Sequence, residues 1–202
     1  MKQLNVFVNA TVVSTVLFFT TLLSPSANAQ KPPPKEVVIG VIYPMSGPAA
    51  QAGVDNKAVF ELAADIANGA VDIPYPFYQR LKGMPGLKGA KIRLILTDHQ
   101  GKPELGQSEA ERLITQEKVV ALVGAWHSAV TATSSQVAER SGIPFMNPES
   151  SSPPLTRRGF KWFFRTSPHD EHFTQVMFDF FRDFQKKKGI TQIGRASCRE
   201  RV

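Results

Sequence analysis

The chain of 202 residues has almost no cysteine: Cys198 is the only one, close to the last residue. No disulfide can form within the chain, which an exported protein with a large apolar core tolerates. A strong charge bias is missing as well. The formal net charge is +7, to which the last ten residues contribute +2 and Lys2 +1, leaving +4 for the remainder. That mild basic excess is not a nucleic-acid footprint, so no nucleic-acid partner is expected. Lys186-Lys187-Lys188 reads more simply as the solvated last turn of a helix, where cations suit the dipole. There is no internal repeat, no G-x-S-x-G elbow and no H-E-x-x-H pair.

Long apolar runs are also lacking. The stretch Val12 to Leu23 is mostly apolar but is interrupted by Ser14, Thr15, Thr20 and Thr21. It is shorter than the roughly 20 residues a membrane-spanning helix needs. With Lys2 before it and the A-x-A site Ala27-Asn28-Ala29 after it, residues 1–29 read as a secretory signal peptide cleaved before Gln30. No cysteine stands at the end of the apolar run, which argues against a lipid anchor. Residues 30–35 form a proline-rich spacer around Pro32-Pro33-Pro34. At the other end, residues 193–202 show neither strand alternation nor a helical stripe, and they can be encoded by a string resembling a sequencing-library adaptor. They are expected to be an assembly scar, leaving 36–192 as the folded part.

Within that part the elements alternate. Glu36 to Tyr43 is a near-continuous apolar strand of the kind that suits a parallel sheet covered on both faces. From about Gln51 to Ala67, the spacing of Val54, Ala58, Leu62 and Ile66 predicts a helix closed by Asn68-Gly69. Val71 to Lys88 is irregular and rich in proline and aromatics; it reads as a surface insertion with its own apolar cluster, or as a lid. Lys91 to Thr97 is the next strand, and Pro103 opens a helix to about Glu117. Strands follow at Val119–Val123 and Ile143–Met146, with a helix between them from about Ala129 to Arg140. Trp162 to Arg165 is short and extended. Ser167 and Pro168 are expected as N-cap and first residue of a last helix. The face of that helix carrying Phe173, Val176, Met177, Phe180, Phe181 and Phe184 is expected to be core. The order β-α-β-α-β-α-β predicts an α/β fold with a doubly wound, mostly parallel sheet.

The most informative stretch runs from Val119 to Thr156. One strand ends at Gly124 and leads into Trp126, His127 and Ser128; the other ends at Asn147 and leads into Glu149, Ser150, Ser151 and Ser152. In open α/β sheets, ligands bind outside the carboxyl ends of the strands. Two strand ends loaded with hydroxyls and backbone N–H groups therefore point to a small-molecule site. Catalysis is not expected: His127 and Ser128 are sequence neighbours, which rarely meet as base and nucleophile. His169-Asp170-Glu171-His172 has a metal-like spacing, yet reads better as an acidic helix start. No metal or cofactor is expected.

The segments VVIGVIYPMSGPAAQAG, KIRLILTDHQGKPELG, VVALVGAWHSAVT, GIPFMNPESSSPPLT and GFKWFFRTSPHDEHFTQ resemble the exported receptors of branched-chain amino acid ABC transporters, the type I periplasmic binding proteins. The resemblance covers about residues 36–192 and implies two α/β lobes that close on an amino acid and present it to an ABC permease in the inner membrane. It implies that this chain carries lobe one up to the first hinge crossing, working in the periplasm. It also implies a carboxylate contact from the Ser128 hydroxyl, and contacts to carboxylate and ammonium from the turn carrying Ser150 and Ser151. Trp126 either walls the side-chain pocket or fills a gap. Glu149 departs from the pattern, where a small residue is usual. It either points to solvent or marks a neutral or cationic ligand such as an amide, urea or polyamine. A sensor of the same fold feeding a regulator is the alternative role.

Overall fold

The computed structural model describes residues 34–71 and 82–189. The signal peptide, most of the spacer, the core of the 71–88 segment and the last ten residues lie outside the described residues. Five strands form one parallel sheet: β1 (Glu36–Tyr43), β2 (Lys91–Asp98), β3 (Ala121–Gly124), β4 (Phe145–Asn147) and β5 (Phe163–Arg165). Their spatial order is β2-β1-β3-β4-β5. The direction of progression reverses between β1 and β3, and the loops that diverge there open a crevice at the carboxyl edge. Four helices connect and follow the strands: α1 (Ala50–Asn68), α2 (Pro103–Thr115), α3 (Ser128–Ser141) and α4 (Asp170–Lys188).

The continuous apolar run of β1 is explained by its central place, with cover on both sides. Alternate residues point to opposite faces. Ile42 joins Leu122, Phe145, Leu113, Val130 and Val137 in the main core under α2 and α3, with Val38 packed against it. Ile39 and Val41 face α1, where they line a small apolar gap with Phe60, Ala63 and Ala64. Close approach of α2 to α3 depends on Gly106: a Cβ there would stand 2.2 Å from Val130 Cγ1. The α/β architecture expected from the sequence is thus the one observed.

Three expectations need correcting. β3 begins at Ala121 and not Val119, because Val119 and Val120 lead into the strand from the α2 turn, the Val119 N–H bonding Leu113 O at 3.2 Å. α4 begins at Asp170 with His169 as N-cap; Ser167 and Pro168 lie before it. Proline holds its predecessor extended, and the His169 N–H is taken by His172 Nδ1 at 3.4 Å while the two imidazoles stack at 3.8 Å. These histidines therefore serve the helix start, and among the described residues no group of three or more His, Cys, Asp or Glu is placed to hold a metal. Finally, the apolar face of α4 is not core in this chain: α4 buries no residue, with Phe173 54 %, Val176 67 % and Phe180 60 % exposed. The pattern is amphipathic as read, but no described element covers it.

Candidate functional site

Because the strands are parallel, the loops following β1 to β5 all emerge at one edge of the sheet, and side chains tie them together. Asp98, at the end of β2, accepts the Met45 N–H at 2.9 Å and the Gln100 N–H at 2.8 Å, and the Ser46 hydroxyl donates to its other oxygen. Burial acts to raise its pKa, but these hydrogen bonds outweigh burial and hold the carboxyl below its ordinary value. His99 lies fully buried beside it. Its Nε2 donates to Ala125 O at 2.8 Å, and its Nδ1 accepts the Gly101 N–H at 2.9 Å. This pairing defines a neutral tautomer, and burial drives the pKa down although the Ala125 carbonyl pulls the other way.

β3 ends at Gly124, where φ is +152° and a Cβ would stand 2.4 Å from Ile42 O, so only glycine lets the chain turn here against β1. The turn sets up a relay into the next loop. The Ala125 N–H donates to Thr131 Oγ1 at 2.9 Å. The Thr131 hydroxyl reaches Ser150 Oγ at 2.6 Å, and the Ser150 hydroxyl donates to Trp126 O at 3.0 Å. With Ser150's proton used on Trp126, Thr131 is the donor between the two hydroxyls. Asn147 closes the β4 turn, accepting the Ser150 N–H and donating to Ser150 O, both at 2.9 Å.

The two serine-bearing turns predicted from sequence therefore sit side by side. The Ser152 N–H donates to Ser128 Oγ at 3.3 Å, and Arg165, at the end of β5, donates from Nη2 to Ser152 O at 2.6 Å. The predicted residues nevertheless divide into different kinds. Ser150 is 1 % exposed, and its hydroxyl, N–H and carbonyl are all engaged within the protein. Ser128 is the first residue of α3, not its N-cap, and keeps its hydroxyl proton free while accepting from Ser152. Ser151 binds the Asp170 N–H through its carbonyl at 2.9 Å, and no described residue bonds its hydroxyl. The N-cap of α3, His127, makes no side-chain capping bond, so the first N–H groups of that helix stay available to an anion.

Trp126 is 39 % exposed with φ +67°, its ring edge-on to His127 at 4.5 Å. His127 borders a small cleft with Ser46, Pro48, Ala49, Gln100 and Gly101; its Nδ1 is buried without a partner, and burial lowers its pKa. Glu149 does not simply point to solvent. Its Oε2 is buried. The Tyr43 hydroxyl is buried too, and burial, then the nearby Glu149 charge, raises its pKa. Sequence reasoning missed Tyr43, Thr131, Asn147, Asp98 and His99. The one available signal was position, since Tyr43, Asp98 and Asn147 each close a strand.

Comparison with known proteins identifies the family of this fold. The periplasmic binding protein family matches residues 36–195. A Leu/Ile/Val-binding protein homolog from Brucella melitensis is 29% identical over 185 residues, covering 92% of this chain and 45% of its own length. An amino acid binding protein from Pseudomonas aeruginosa is 30% identical over 158 residues, 78% of this chain and 38% of its own. The chain thus spans less than half the length of these curated relatives. Among solved structures, the substrate binding protein LivJ of a branched-chain amino acid transporter from Streptococcus pneumoniae, in complex with isoleucine, superposes with a TM-score of 0.57 at 27% identity, over 67% of this chain and 35% of that one. The leucine binding protein LivK from Thermotoga maritima gives 0.57 at 27% identity, over 76% and 38%. On a parallel sheet with this strand order, and with a match running from β1 through α4, the chain belongs to the periplasmic binding protein family.

Proposed function

We propose that this chain is the ligand-capturing receptor of an ABC importer, or the lobe of one that makes first contact, and that it holds a branched-chain amino acid or a related small polar metabolite. The observation that carries the reading is the contact between the two turns at the carboxyl edge, the Ser152 N–H on Ser128 Oγ at 3.3 Å. It sets a free hydroxyl proton at the uncapped start of α3, against the turn that also carries Ser151. Neutral hydroxyls and backbone N–H groups bind a carboxylate tightly and release it unchanged. In this reading residues 1–29 direct export and are removed, 36–192 form lobe one, and a second lobe closes over the ligand before an inner-membrane permease receives it. The relatives' names support the amino acid class.

A thermal-shift screen of the protein expressed from its full reading frame, against amino acids, amides and polyamines, tests the proposal. A stabilising compound recovered chemically intact is expected. Ser128→Ala is expected to weaken its binding by about 1–3 kcal/mol, the usual cost of leaving a buried partner unpaired. Turnover of the compound, or affinity unchanged in Ser128→Ala, would contradict it.

A further inference from the structure

The segment that leaves β5 does more than lead into α4. Between Arg165 and Asp170 it meets three carbonyls of the turn after β4. The Thr166 N–H donates to Asn147 O at 3.2 Å, Arg165 Nη2 to Ser152 O at 2.6 Å, and the Asp170 N–H to Ser151 O at 2.9 Å. The last two bonds bracket Ser152. The Ser151 carbonyl and the Ser152 N–H belong to one planar peptide. A donor fixed on that carbonyl therefore fixes the direction of the N–H on the opposite side, and this N–H meets Ser128 Oγ at 3.3 Å. The Ser152 carbonyl belongs to the next peptide, which Arg165 holds.

The consequence lies at Ser128. A hydroxyl has one proton to donate and lone pairs to accept with. With the Ser152 N–H directed at its oxygen, the Ser128 proton is turned away from the neighbouring turn. Were the Ser151–Ser152 peptide turned over, its carbonyl would face Ser128 and take that proton. The orientation of one peptide thus decides whether Ser128 offers a donor to the crevice.

Arg165 is costly where it stands. Its Nε and Nη1 are buried with no partner among the described residues, and burial lowers its pKa although the Asp170 charge pulls the other way. A side chain needed only to fill space would carry no such cost. What a guanidinium adds is a charge-assisted bond, stronger than a neutral one, and its acceptor here is the carbonyl of Ser152. Asp170 can lend its N–H because it is the first residue of α4, where that group has no partner within the helix.

We propose that Arg165 and the first N–H of α4 are positioning groups for ligand capture: they fix the peptides on either side of Ser152 so that its N–H is directed at Ser128 and the Ser128 proton is left to a ligand carboxylate. This role rests on the receptor reading given above. Neither group touches the ligand; both act through Ser152.

The test is made on the protein from its full reading frame, with L-leucine as the probe in calorimetry and amide exchange at Ser152 followed by NMR. Arg165→Met, which keeps the length and loses the donors, is expected to bind leucine about tenfold more weakly and to exchange the Ser152 amide about tenfold faster. Arg165→Lys keeps a charged donor and is expected to recover most of both. In a Ser128→Ala background, Arg165→Met is expected to change leucine affinity by less than about twofold, whereas a direct pull of the guanidinium charge on the ligand would persist there. Asp170→Pro removes the N–H at a helix position that accepts proline, after a His169 already extended at φ −106° and ψ 170°. It is expected to match Arg165→Met, while Asp170→Ala, which keeps the N–H, is expected to bind and exchange as wild type does. The two Asp170 variants decide the matter if Arg165→Met does not fold. Leucine affinity equal to wild type in Asp170→Pro or Arg165→Met, or the same loss with and without the Ser128 hydroxyl, overturns the positioning role and leaves the receptor reading standing. A wild type that binds neither L-leucine nor any other carboxylate of the screened panel overturns both.

Discussion

Replacing Thr131 by valine removes one hydroxyl and keeps the β-branched shape, so it isolates the relay that joins the turns after β3 and β4. Thr131 is fully buried, accepts the Ala125 N–H at 2.9 Å and donates to Ser150 Oγ at 2.6 Å. Each buried hydrogen bond contributes about 1 kcal/mol net, and the stranded Ala125 N–H costs about 1–3 kcal/mol more, because no water reaches it. Thr131→Val is thus expected to cost about 3–5 kcal/mol, a large share of the 5–15 kcal/mol typical of a domain. Thr131→Ser keeps the hydroxyl and loses one methyl, for about 1 kcal/mol. Urea denaturation followed by circular dichroism measures both, the expected signature being a lower midpoint at unchanged slope. Ser150→Ala cuts the same relay one bond further on, so the double variant is expected to cost less than the two single changes added together. A Thr131→Val protein within about 0.5 kcal/mol of wild type, or a serine variant less stable than the valine one, would refute the relay as the element that fixes the turns.

Three further outcomes are expected. Stability is expected to fall as pH drops below about 6.5, by about 1.4 kcal/mol per pH unit for each proton. The sign follows from His99, which is neutral in both states above its unfolded pKa, whereas below it the unfolded chain takes a proton that the buried ring, already accepting from Gly101, resists. His127 shifts in the same direction, and His99→Gln is expected to flatten the pH profile measured by thermal melts at pH 8 and pH 5.5, whereas an unchanged profile would contradict this. Gly124→Ala is expected to destabilise the protein and to weaken ligand binding together, since its Cβ would meet Ile42 O at 2.4 Å at a φ of +152°; a melt and a titration both matching wild type would rule out the close approach. In the 202-residue chain, amide exchange in α4 is expected to be much faster than in α3, because α4 buries no residue and is tied at its first turn, by the Asp170 N–H on Ser151 O and by the Arg157–Glu171 ion pair. Equal protection of the two helices would contradict that.

The sheet was legible because its signals are local. β1 was read at its observed limits from one unbroken apolar run, and α1 from a four-residue spacing ending at Asn68-Gly69. The pairing of the two serine turns was also foreseeable, since both follow strands and parallel strands end on one edge. What stayed hidden depends on neighbours far apart in sequence. Nothing around Ser150 reveals that Thr131 and Trp126 take up its hydroxyl, and nothing around Glu149 reveals Tyr43 beneath it. Ser167 has the chemistry of an N-cap, yet Pro168 and the His169–His172 pair moved the helix start two residues on. The phenylalanines of α4 show periodicity clearly but carry no information about what covers them.

The central claim is that the adjoining turns grip the polar head of a metabolite, and a crystal structure of the full-length protein with its bound ligand tests it most directly. The account predicts an unaltered ligand with its carboxylate at about 2.5–3.0 Å from the Ser128 and Ser151 hydroxyls. Ligand density away from the carboxyl edge of the sheet, or with both hydroxyls turned from it, would contradict the account.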